Sequence, residues 1–295
     1  MKRLLKDAWA RRSMSVLSFF PGFLVLLIVL GLFLKSRAIL GVQPLSRLLL
    51  GTAWHPLRGE FGLLPFIAGT AWVTVTALVL AVPVSILTAI YLSEFAPRFI
   101  REAARPLIDV LAGLPSVVFG VWGILLVVPF VGDVLAPLFG RSSSGYSVLA
   151  GGIVLAIMIF PTIIHISLEV FASIPLSLRE ASLSLGATRW ETARHVVLRK
   201  GSQGILAASV LGFSRAFGET MAVLMVAGNV PIAPKSLFDP GYPLPALIAN
   251  NYGEMMSIPR YDSALMLAAL VLLGVVLGFN VLASRFLVRV ERRSR

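Results

Sequence analysis

The stretch SVLAGGIVLAIMIFPTIIHISL, residues 147–168, carries no Asp, Glu, Lys or Arg. Its length is close to the roughly 20 residues a helix needs to cross a bilayer. In hydrocarbon a helix satisfies each backbone N–H and C=O within its own segment, which makes it the simplest spanning structure for such a run. Working outward, five further apolar windows recur at 16–34, 69–92, 107–131, 204–229 and 263–284. The expected fold is therefore all-α, a polytopic transmembrane helical bundle of about six spans forming a single domain over 1–295. The 107–131 window begins near Asp109 and holds Gly113, Pro115, Gly120, Gly123 and Pro129, which predicts a bent or broken helix. Such breaks are tolerated where neighbouring protein satisfies the freed backbone.

Composition agrees. Of the 295 residues 57% are apolar and 14% charged, whereas a soluble domain is about half apolar and a quarter charged. The net charge of +12 would suggest nucleic acid in a soluble protein. Here the basic residues lie between apolar runs, which reads as a topology signal and not as a nucleic-acid surface. With no Cys and 3 His, disulfides, thiolate zinc sites and thiol nucleophiles are excluded and no metal site is expected. Val16 to Leu34 is long enough to span and has no small-residue cleavage site, so it reads as a retained helix and not a signal peptide.

Placing the N-terminus inside puts 18 of the 26 Lys and Arg on the inner side: those in 2–12, 98–105, 179–200 and 285–295. Seven fall outside, and Arg215 lies within a span. The positive-inside rule then predicts two cytoplasmic termini. The 35–62 segment, with Lys35, Arg37, Arg47 and Arg58 against Glu60, is the discordant piece. Two outer loops read as ordered: 35–68, with Trp54, His55, Pro56 and Pro65, and 230–262, dense in proline and carrying Phe238, Tyr242 and Tyr252.

The inner connection around 177–200 reads as helix, glycine turn, helix. Ser177 to Glu180 and Thr188 to Glu191 each have capping-box spacing, and Gly186 stands where a left-handed cap would end the first helix. Trp190, Ala193 and Val197 give the second helix one apolar face. Such a hairpin suits either a lipid surface or a groove in a soluble partner.

Here the residues resemble a known family. Glu180-Ala181-Ser182, then Gly186, then Val196-Val197-Leu198, is similar to the "EAA" loop of ABC-importer permeases, with Arg199 where that motif has proline. Around it, Gly186 to Thr192, Arg215 to Val223, Tyr91 to Pro97, Leu114 to Gly120 and Phe61 to Thr70 resemble the phosphate-importer permeases, in wording nearer the PstC type than its PstA paralogue. The resemblance implies a type I ABC-importer permease in the bacterial inner (cytoplasmic) membrane, forming the path for inorganic phosphate. It implies a PstA-like second permease, two PstB-like ATPase subunits and a periplasmic PstS-like phosphate-binding protein. Glu180, Ala181, Gly186, Thr188, Trp190 and Glu191 would then meet the ATPase. No G-x-x-x-x-G-K-[ST] occurs, so ATP and its hydrolysis are expected on the partner, with no cofactor on this chain.

Arg215 and Glu219 are four apart, within pairing reach on one helix. An arginine at mid-membrane costs about 2.5–3.5 kcal/mol on the mildest insertion scale. The same segment carries a small residue every fourth position, at Gly204, Ala208, Gly212, Ala216 and Thr220, a surface for close helix approach. The pair reads either as a structural lock or as part of a substrate pathway, where a guanidinium fork suits an oxyanion. His165 and Glu169 read as an interfacial pair, Glu94 and Glu102 as loop charges, and Gly274 with Gly278 as a weak GxxxG signal. Alternatives are a permease for sulfate or molybdate and a secondary anion transporter, which would show two similar halves. A membrane-embedded enzyme needs clustered acids, His or Ser at membrane depth, and the chain offers none.

Overall fold

The computed structural model describes residues 2–254 and 257–294; the side chains of several of the first ten residues and of those from 286 on are not described. Arg295, counted above on the inner side, lies outside the described residues. The chain begins with α1 (Lys2–Leu40) and a short α2 (Leu45–Leu50). A two-stranded antiparallel hairpin follows, β1 (Trp54–His55) with β2 (Glu60–Phe61), pairing Trp54 with Phe61. Next come α3 (Leu64–Phe95), α4 (Arg98–Gly113), α5 (Ser116–Leu138) and α6 (Val148–Ser173). The inner hairpin comprises α7 (Leu176–Ser184) and the start of α8 (189–217). Short α9 (Met221–Val226) and α10 (Leu244–Asn251) precede α11 (Tyr261–Ser294).

Among the described residues five helices are long and apolar enough to cross a membrane: Arg11–Leu40, Leu64–Phe95, Ser116–Leu138, Val148–Ser173 and Tyr261–Arg285. The expected 107–131 span is corrected in register. Proline removes a backbone donor and disfavours helix in the residue before it, so the chain is extended at Leu114 and Pro115. Residues 98–113 form a separate amphipathic helix, and the apolar crossing starts at Ser116. The expected 204–229 span is two pieces. α8 ends at Phe217, and α9 begins only at Met221.

The centre of the bundle is α3 against α6, with α8 laid across both. The small-residue stripe of α8 faces α6. A Cβ on Gly204 would clash with Val170 Cγ2, and one on Gly212 would meet Ile163 Cδ1 at 2.9 Å. Ala208 and Ala216 are buried in the same seam. Thr220 falls beyond the helix end and outside this contact. A Cβ on Gly274 or Gly278 would meet nothing within 4 Å.

At the end away from the hairpin, the two long loops close over each other. Trp54 stands edge-on to Phe66 at 4.9 Å, and Phe66 to Tyr242 at 5.2 Å. Thr70 Oγ1 accepts a hydrogen bond from Leu244 N at 2.8 Å. Asn251 donates to the Tyr242 hydroxyl. The proline-dense segment is thus ordered against the start of α3, whose Phe66 in turn packs on Trp54 of the β hairpin.

Candidate functional site

The inner hairpin is built from backbone geometry upward. Pro175, with ψ 135°, turns the chain out of α6, and α7 starts at Leu176 without a side-chain cap. This corrects the first of the two expected capping boxes. The helix begins two residues too early for Ser177 to cap it, so Ser177 lies inside the first turn. α7 ends as expected. Gly186 has φ +85°, its N–H reaches Leu183 O, and Ala187 N–H reaches Ser182 O. These two bonds are the Schellman pattern, which a left-handed glycine permits without a Cβ clash.

The second box is present in full. Thr188 Oγ1 accepts from Glu191 N at 3.2 Å, and the Glu191 carboxylate accepts from Thr188 N at 2.7 Å. The Thr188 backbone N–H, aided by its hydroxyl, holds the exposed Glu191 carboxyl below its ordinary pKa. A hydroxyl–hydroxyl bond of 3.0 Å between Ser182 and Thr192 clasps the two arms. The second arm is no short helix: it runs on through Arg199 as α8 to Phe217, so the missing proline terminates nothing. A π-helical turn at Ala193–Val197 lies at its base. Ala193 and Val197 are buried with Ala89, Ile90, Phe171 and Ile174, whereas Trp190 is half exposed. The expected apolar face is therefore split between an anchor and a free tip.

That tip is apolar. Leu176, Leu183 and Trp190 are exposed, and Leu185 is 89% exposed. Glu180, Ala181, Gly186, Thr188 and Glu191 are also exposed. All six residues expected to meet a partner thus lie on the free surface of the hairpin. The carboxylate of Glu180 has no hydrogen bond or ion pair among the described residues.

Sequence reading missed what holds the hairpin to the bundle. Arg179, 15% exposed, meets Glu94, 12% exposed, at 3.0 Å. The same guanidinium donates to Ile174 O at 2.6 Å and Phe171 O at 2.7 Å, closing the carbonyl end of α6. Glu94 is thus no loop charge: it stands in a π-helical turn at the end of α3. The partners are 85 positions apart, and no local spacing signals them. His165 likewise pairs with Asp109 of α4 at 2.7 Å, in place of Glu169. Glu102 pairs with Arg98 one turn away.

The expected Arg215–Glu219 pair does not form. The four-residue spacing assumed one continuous helix, and the helix ends between them. Arg215 is exposed and its Nη1 donates to Thr162 Oγ1 at 2.9 Å, midway along α6. Glu219 turns the other way and accepts from Ala222 N at 3.3 Å, capping α9. Among the described residues Arg215 has no carboxylate within 4.0 Å, which leaves most of its donors open to the space beside the bundle. Thr162 carried no sequence signal beyond being a hydroxyl in an apolar run.

A family model described as "Binding-protein-dependent transport system inner membrane component" matches residues 81–295. The chain belongs to this family. The permease is 42% identical over 223 residues to the probable ABC transporter permease protein YqgH of Bacillus subtilis, covering 75% of this chain and 70% of that one. It is 38% identical over 256 residues to the phosphate transport system permease protein PstC of Xylella fastidiosa, covering 82% and 78%. With the probable PstC of Methanocaldococcus jannaschii the match is 31% over 304 residues, covering 98% and 96%. Its fold is that of the chain in an inward-facing structure of the MetNI methionine ABC transporter, with a TM-score of 0.55 at 20% identity over 78% of this chain and 94% of that one. The permease is accordingly a membrane-embedded transport component of type I architecture.

Proposed function

We propose that this permease carries inorganic phosphate through the cytoplasmic membrane as part of an ATP-driven importer. The supporting observation is Arg215. A guanidinium held at mid-bundle by one threonine bond, open to the surface and without a carboxylate nearby, is costly in hydrocarbon and useful beside an oxyanion. Its exposure on the isolated chain fits a path shared with a second, PstA-like permease. The relatives named for phosphate transport specify which oxyanion.

ATP is bound and hydrolysed by separate PstB-like subunits, which receive the apolar tip of the hairpin. A PstS-like binding protein delivers phosphate to the opposite, loop-capped end, and both termini are cytoplasmic. The test is phosphate uptake in cells lacking other phosphate transporters, with protein level followed by immunoblot. Arg215→Leu is expected to assemble and to abolish uptake, and Arg215→Lys to transport poorly because lysine lacks the planar fork. Near-normal uptake by Arg215→Leu would remove Arg215 from the path.

A further inference from the structure

α4 carries Arg98, Arg101 and Arg105 along one side, and on the other its apolar residues Phe99, Leu107 and Val110 stay exposed. Below the arginines lies a half-open cavity of about 340 Å³ between α3, α4, α6 and α7. Ser93, Glu94, Arg101, Arg105, Leu168 and Arg179 line it.

The charges around this cavity do not balance. Glu94 is taken by Arg179 at 3.0 Å, Glu102 by Arg98 at 2.6 Å, and Asp109 by His165 at 2.7 Å. Every carboxylate within a helical turn of Arg105 is therefore engaged elsewhere. Arg101 spends one donor on Ser93 O at 3.0 Å. Among the described residues neither Arg101 nor Arg105 has a carboxylate within 4.0 Å. Two adjacent guanidinium groups, four apart on one helix, thus repel each other at the mouth of a cavity of mixed polar and apolar lining, and the exposed Glu169 of α6 beside the lining Leu168 is ion-paired with neither.

We infer that this cavity is an oxyanion site in which Arg101 and Arg105 together hold one phosphate group. Two guanidinium forks converging on one tetrahedral anion supply both charge and geometry. The group comes either from a phospholipid headgroup, which the exposed apolar side of α4 would favour by lying in the membrane surface, or from free inorganic phosphate. The site is separate from Arg215 and does not depend on which ion is transported.

The experiment compares the full importer complex with its Arg101→Gln/Arg105→Gln variant in two arms. In the first, native mass spectrometry counts phosphatidylglycerol molecules retained after extraction from membranes. In the second, delipidated complex in detergent is titrated with radiolabelled inorganic phosphate. The wild type is expected to hold one more equivalent than the variant in one arm, and that arm names the source. Because the variant leaves Arg215 intact, the transport path cancels in the difference. Arg101 also bonds backbone, so Arg105→Gln alone is measured alongside; it removes no bond of the fold and should weaken retention roughly tenfold. Equal stoichiometry and affinity in both arms, for well-folded wild type and variants, overturns the site.

Discussion

Arg179 on the inner hairpin is clamped between the Glu94 carboxylate, 3.0 Å away, and the carbonyls of Phe171 and Ile174. One guanidinium therefore joins three elements: the end of α3, the end of α6 and the start of the hairpin. Placing a cation on the last carbonyls of α6 also complements the negative end of that helix dipole.

Glu94→Gln should loosen this clamp. Leaving one partner of a buried ion pair uncompensated costs about 3–5 kcal/mol, with the lower end expected here because both groups keep some exposure. Thermal denaturation of the purified permease in detergent should show the loss. A double Glu94→Leu/Arg179→Leu change should recover only part of it, since the two α6 carbonyls then lose their donor. Full recovery would mean that the carbonyl bonds contribute nothing.

Gly186→Leu should strain the hairpin turn. Nothing lies within 4 Å of a Cβ at this position, so the cost is purely that of a left-handed backbone, about 1–2 kcal/mol. Gly186→Asn, which tolerates that region better, should be milder. Substrate-stimulated ATP hydrolysis by the assembled complex is the measurement. The leucine variant should lose stimulation while the asparagine variant keeps most of it, and identical behaviour of the two would rule out backbone strain as the cause.

The Thr188–Glu191 cap gives a pH dependence with a definite sign. The folded-state pKa of Glu191 lies below its ordinary 4.5. Its stabilisation is then present above the unfolded value and lost as pH falls through the folded one. Hydrogen exchange of the 188–197 peptide should be faster in Glu191→Gln than in wild type at neutral pH, with the difference vanishing well into the acid range. Thr188→Ala should cost about 1 kcal/mol of local stability at neutral pH.

Thr162→Val removes the hydroxyl that positions Arg215 while preserving volume. Phosphate uptake should show a raised KM, with the maximal rate less affected, because the guanidinium charge stays and only its placement loosens. Glu219→Gln should be benign by comparison. An amide oxygen still accepts the Ala222 N–H, and the acid makes no pair with Arg215. If Glu219→Gln and Arg215→Leu prove equally damaging, the two side chains act together in a state other than the one described.

Charge-free runs located the helical cores of the bundle, because burial in lipid leaves its mark on every residue of a span. Glycine at 186 and the Thr188 box were legible for a similar reason: both are satisfied within a few residues of chain. The contacts that assemble the site are of another kind. Glu94 with Arg179, Asp109 with His165 and Thr162 with Arg215 each join distant helices, and no spacing rule links such partners. The Arg215–Glu219 expectation failed by one assumption, that of an unbroken helix, for the helix ends at Phe217, between the two. The Leu114–Pro115 interruption was foreseen as a bend or break, but the sequence did not reveal that the residues before it form a helix of their own.

From Arg189 the chain runs without a loop to Phe217, and at about 1.5 Å per residue that is a rod of roughly 40 Å. Its near end carries Trp190 and its far end Arg215. Val170 and Ile163 of α6 seat over Gly204 and Gly212 of the rod, so the seam carries α6 along with it, whereas bending would break the hydrogen-bond ladder. The compliant point is the π-helical turn at its foot. A displacement of the tryptophan that this turn does not absorb would therefore reach the arginine along one continuous helix, as by a piston rod, with no relay of intermediate residues required.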